Sequence, residues 1–184
     1  RCWSASMPSS AHTCSTSSTV ANSSRWKSST EAIPPGELRA VAGVAARHPR
    51  LRLVIDHLGV HPAVRDDALD PVLDELVTLA SLDNVAVKAT TLPTMVSEPY
   101  PFGSLHARIK RVVDAFGPHR VFWGSDLSRL TCTYTEARDL FLTELDFLDP
   151  TELSLVMHDG LSTWIGWPDA RPTTLADHRA RSLD

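Results

Sequence analysis

Three apolar runs in this 184-residue chain each close on a group that can do chemistry. "LRLVI" (51–55) leads into Asp56 and His57, and "NVAV" (84–87) leads into Lys88, with Thr90 and Thr91 just beyond. "RVFWGS" (120–125) leads into Asp126. A carboxylate at the end of a buried run is costly unless a cation, a metal or hydrogen-bond donors meet it. An imidazole gathered beside such a carboxylate could move a proton to or from water, or polarise a carbonyl. Plainer roles compete for each residue. His57 can cap its strand through a backbone hydrogen bond, Asp126 can cap whatever follows Leu127, and Lys88 can lie solvated along the surface. Asp56, adjacent to His57 on an extended segment, is expected to point away from it.

Other candidates carry less. His48, His106, His119 and His158 fall on helical stretches or their ends and read as surface residues. His61 follows His57 by four, but Gly59 and Pro62 forbid a helix there, so this is no zinc-protease pair. "HTC" (12–14) imitates a ligand spacing inside a patternless stretch. Trp123 reads as core. Arg129 and Tyr134, just past Asp126, are of types that hold a carboxylate, with a surface role as the alternative.

The elements that position these groups are legible. "PPGELRAVAGVAARHP" (34–49), "DPVLDELVTLASL" (70–82), "LHARIKRVVDAFG" (105–117), "TYTEARDLFLTEL" (133–145) and "PTELSLVMHDGLSTWIGWP" (150–168) carry helical apolar spacing. The runs at 51–56, 84–89 and 120–125 are strand-like, and a helix separates each from the next. That alternation predicts right-handed βαβ units and an α/β fold whose parallel sheet is covered on both faces. In such folds the carboxyl ends of the strands build the site, which would bring His57, Lys88 and Asp126 together.

Bulk properties exclude several classes. A net charge of −4 argues against nucleic-acid binding, and no apolar run approaches the length of a membrane span. Cys2, Cys14 and Cys132 form no C-x-x-C pair, so a cytoplasmic setting is expected. Residues 1–30 hold 11 Ser and 4 Thr with no Asp or Glu, and no apolar face able to offset ordering entropy. They read as a disordered segment or as residues from a misread frame; an organelle transit peptide would need an amphipathic face that is missing. Residues 31–168 form the folded part, and 169–184 a tail.

The strings "LRLVIDHLG", "NVAVKATTLP", "YPFGSLHARIKRVVDAFGPHRVFWGSDLSRL" and "TWIGWP" resemble, in this order, the carboxyl-terminal half of amidohydrolase-related proteins (the amidohydrolase 2 family), near its sugar-acid and dicarboxylate lactonases. The resemblance implies a partial (β/α)8 TIM barrel, about its last three to four βα units. It implies a hydrolase in which water attacks a lactone- or amide-like carbonyl. His57 would polarise the substrate or assist the water, and Asp126 would be general base or metal ligand. A divalent ion (zinc or manganese) is the implied cofactor, and a small lactone or carboxylic acid the implied partner. A metal-dependent decarboxylase is the alternative activity.

Departures from the family pattern sharpen these expectations. No strand here carries the family's His-x-His pair, and "MHDG" (157–160) stands where relatives have Gly-Arg. The metal is thereby put in doubt. This chain by itself is expected to be impaired, with no turnover above background, or to be an inactive half-barrel remnant. Its open strand edges would invite association.

Overall fold

The computed structural model describes residues 37–167. The expectations for 1–30 and 169–184 lie outside the described residues. The first helix, α1 (Leu38–Arg47), buries Leu38 and Ala45. Its carboxyl end is tied down by Asn84, whose side-chain amide donates to the carbonyls of Ala45, His48 and Leu51. Strand β1 (Leu53–Ile55) follows, then α2 (Leu69–Thr78), β2 (Val85–Thr90), α3 (Gly103–Phe116) and β3 (Val121–Gly124). The described residues close with α4 (Tyr134–Asp139), α5 (Pro150–Ser154) and α6 (Gly160–Ile165).

The sheet has the order β1-β2-β3, and both pairings are parallel. This is the α/β arrangement that the alternation of runs and helices predicts. Strand β1 is shorter than the expected 51–56: Leu51 still bonds back to His48, and Arg52 turns to the Trp164 carbonyl at 2.5 Å. The two last helical stretches are interrupted by π turns, Leu140–Glu144 after α4 and Leu155–Asp159 between α5 and α6. Capping boxes at Thr133/Glu136 and Asp149/Glu152 start α4 and α5.

Register sorts the strands' side chains onto two faces. Ile55, Val87 and Val121 align on one, flanked by Leu53, Val85, Ala89 and Trp123, and pack against the helices in the main core. Phe116 and Phe141 are fully buried in that core. The opposite face aligns Val54 with Ala86, Lys88 with Phe122, and Thr90 with Gly124. Its lower half is covered by Trp164 of α6, whose ring meets that of Phe122 at 6.1 Å. Its upper half is polar and leads to the strand ends. The outer edges of β1 and β3 have no strand neighbour among the described residues.

At the opposite end of the sheet, Arg120 is buried with no carboxylate paired to it among the described residues. Its guanidinium donates to the carbonyls of Phe116, Leu82, Val85 and Ala80 instead. Four carbonyl dipoles carry that charge and tie β3 to the ends of α2, β2 and α3.

Candidate active site

Each strand leaves the sheet through left-handed backbone. After β1 the chain passes through His57 (φ 52°), Leu58 (φ 53°) and Gly59 (φ 69°). After β2 it turns at Thr91 (φ 56°), and after β3 at Asp126 (φ 46°). Non-glycine residues pay about 1–3 kcal/mol for such conformations, which persist where surroundings over-determine them. Threonine, being β-branched, is the least suited of the three.

These turns converge. His57 Nδ1 lies 2.6 Å from Thr90 Oγ1 and 3.3 Å from Thr91 Oγ1. Across the ring, His57 Nε2 faces Asp126 Oδ2 at 3.7 Å. That separation is too long for a direct hydrogen bond and leaves both groups facing a shared gap. The two side chains are 20% and 27% exposed, so a small molecule can reach them while most of each is enclosed. Arg129 Nε lies 3.9 Å from the same Asp126 oxygen. Leu127, 66% exposed, adds an apolar surface at the rim.

The two residues singled out first, His57 and Asp126, are therefore brought together across β2. The plainer roles do not hold for either. His57 bonds side-chain hydroxyls and not a backbone group, and the Asp126 side chain makes no capping bond to the 3₁₀ turn Leu127–Arg129. Nor is Lys88 simply solvated: its Nζ lies 2.6 Å from Asp56 Oδ1. This is a charge contact more than an aligned hydrogen bond, since that oxygen accepts no bond of good angle. Asp56 turns from His57 toward β2, as its place on the strand predicts. Tyr134 stacks edge-on against half-buried Trp123, with centroids 6.1 Å apart, while Arg129 stays at the rim. His48, His119 and His158 are exposed, and His61 accepts from the Ala63 amide. His106 is half-buried and bonds the Pro101 carbonyl.

No group of three or more metal-ligating side chains occurs among the described residues. His57 and Asp126 offer two, one fewer than a catalytic zinc takes from its protein. Their 3.7 Å separation also exceeds the roughly 3.3 Å between two ligands of a tetrahedral zinc with bonds of about 2.0–2.1 Å. By themselves these residues do not fit a zinc site.

Two residues named in the sequence without a role, Thr90 and Gly124, contribute here. Thr90 follows Lys88 by two on β2, so its place on the same face was available as a signal. Gly124 is its register partner, and a Cβ there would come within 2.7 Å of Thr90 Cγ2. The glycine makes room for the threonine.

Comparison with known proteins places this geometry in context. A family model described as amidohydrolase matches residues 5–179. Over 102 residues the chain is 35% identical to an L-fucono-1,5-lactonase of Burkholderia ambifaria, covering 53% of this chain and 34% of that one. An amidohydrolase from Burkholderia multivorans, solved with bound zinc, superimposes with a TM-score of 0.61 at 27% identity. A second crystal form with bound HEPES gives the same score at 28% identity. Each superposition covers 72% of this chain and 50% of the other. The chain spans about a third of the curated lactonase and half of the solved structures.

Proposed function

The chain belongs to the amidohydrolase family, and from that premise we propose that its strand ends form part of a hydrolase site where water attacks a lactone carbonyl. The three parallel βα units are read as consecutive units of a (β/α)8 barrel, whose carboxyl-end loops carry the chemistry. The observation that carries the reading is the gap between His57 Nε2 and Asp126 Oδ2, 3.7 Å wide and reachable from solvent.

In this reading Asp126 is the general base. It takes one proton from water as the oxygen adds to the lactone carbon, and His57 offers a hydrogen bond to the carbonyl oxygen as charge develops there. Collapse breaks the acyl–oxygen bond, and the proton held by Asp126 passes to the departing ring oxygen. The products are a carboxylic acid and a hydroxyl on one opened chain. A sugar-acid lactone is the proposed substrate class, supported by the name of the curated relative. Arg129 at the rim suits a substrate hydroxyl or carboxylate. No step is routed through a metal, because the described residues do not complete a site for one. One base and one donor are a thin set, so a low rate in this chain by itself belongs to the same reading.

A panel of sugar-acid lactones and a resorcylate tests it, with acid release, carbon dioxide release and ligand contact by saturation-transfer NMR measured together. The expected result is lactone contact that weakens in His57→Gln, with acid release either at background or removed by Asp126→Asn. Carbon dioxide without acid, acid release that survives Asp126→Asn, or no lactone contact would overturn the proposal.

A further inference from the structure

We propose that Thr90 is a positioning residue that fixes the proton of neutral His57 on Nε2, so that the ring faces the gap as a donor. Its consequence for catalysis rests on the hydrolase reading above, but the proton's position follows from hydrogen-bond accounting alone.

A threonine hydroxyl has one proton to give. Thr91 gives its proton to the Thr90 carbonyl at 2.7 Å, so toward His57 Nδ1 its oxygen can only accept. Thr90 is 7% exposed, and among the described residues its hydroxyl meets one acceptor, Nδ1 at 2.6 Å. Were Nδ1 protonated, the Thr90 proton would be left in a buried place without an acceptor, which is costly. The other end of the ring agrees. A bare Nε2 would turn its lone pair toward the Asp126 carboxylate 3.7 Å away, acceptor against acceptor. With the proton on Nε2, Thr90 donates to Nδ1 and the gap holds a donor facing an acceptor. Both ends of the imidazole favour one tautomer.

The rotamer of Thr90 is itself set. Its methyl lies where a Cβ at Gly124 would intrude to 2.7 Å, so β3 leaves space for the methyl on that side while Oγ1 reaches His57. The same tautomer also disfavours ligation through Nε2, which can bind a metal only when bare. Thr90 thus separates two uses of one histidine: donor to a substrate oxygen, or ligand to a cation.

The test is long-range ¹⁵N–¹H correlation on protein labelled with ¹⁵N-histidine, at about pH 8 where an ordinary imidazole is neutral. The His57 signals are assigned by their loss in His57→Gln. The parent is expected to show the pattern of an Nε2-protonated ring. Thr90→Val should shift the population toward the Nδ1-protonated ring, with Nδ1–H now donated to Thr91 while Asp126 still favours Nε2–H, whereas Thr90→Ser and Thr91→Val should keep the parent pattern. A parent ring protonated on Nδ1 overturns the proposal without any variant, and so does an unchanged pattern in folded Thr90→Val. Failure of the lactone assays with the tautomer intact would count against the hydrolase reading alone.

Discussion

Lys88 Nζ sits 2.6 Å from Asp56 Oδ1, joining β2 to the residue just before the left-handed turn of His57. The Asp56 side chain is 9% exposed and the Lys88 side chain 32%. The carboxylate is thus the more deeply held partner, and the ammonium is its cation. Lys88→Met would leave a buried carboxylate unpaired. Breaking a fully buried pair costs about 3–5 kcal/mol, and the partial exposure of Lys88 brings the expected loss to about 2 kcal/mol. Urea unfolding of Lys88→Met, Asp56→Asn and the double variant measures it. Additive single effects in that cycle would show that the two groups do not act as a pair.

Arg120 is expected to matter for stability and not for the site. Arg120→Met leaves the carbonyls of Phe116, Leu82, Val85 and Ala80 without their donor and should cost about 3 kcal/mol. Arg120→Lys should recover little, because an ammonium cannot reproduce the planar fork. Chemical denaturation gives both numbers. A lysine variant as stable as the parent would contradict this account.

Tyr100 donates a short hydrogen bond to the Glu144 carboxylate, and this bond, reinforced by burial and the nearby charge, pushes its pKa up to about 12. A group whose folded pKa is raised contributes stability that is complete below its unfolded value near 10. That contribution disappears as pH rises through about 12. The chain has two tyrosines, so Tyr134→Phe leaves Tyr100 as the sole phenol. Its tyrosinate absorbance should titrate with a midpoint near 12. A midpoint near 10 would refute the contact, and Tyr100→Phe should flatten the alkaline fall in stability over this window.

Association through the outer edges of β1 and β3 is expected to show as a mass that rises with protein concentration in light scattering. A constant monomer mass at all concentrations would count against edge pairing.

The sheet was legible because Val85, Val87 and Val121 belong to short apolar runs separated by amphipathic helices, a pattern set by local burial. The convergence of His57 and Asp126 was legible from the same pattern, since parallel strands bring their carboxyl ends to one side. What lay hidden depends on neighbours distant in sequence. The bond from Thr90 to His57 spans 33 positions, and those from Arg120 reach back as far as Ala80. The left-handed turn at Thr91 had no local signal, because a β-branched residue disfavours that backbone, whereas Asp126 is of a type enriched there. The π turn after α4 was equally silent: "TYTEARDLFLTEL" (133–145) reads as one regular helix, and a shift of one hydrogen-bond register leaves no mark in composition.

The strained strand ends set heat resistance against the proposed chemistry. Glycine adopts left-handed backbone freely, so substitution at 57, 91 or 126 would relieve about 1 kcal/mol of strain each, less the freedom glycine gains when unfolded. Selection for melting temperature alone that took glycine at these positions would empty the mouth of its imidazole, hydroxyl and carboxylate. A screen that also demanded chemistry would have to gain its stability elsewhere, at sites such as the exposed Leu51 or Leu142. At these three positions a gain in durability would come at the expense of the proposed site.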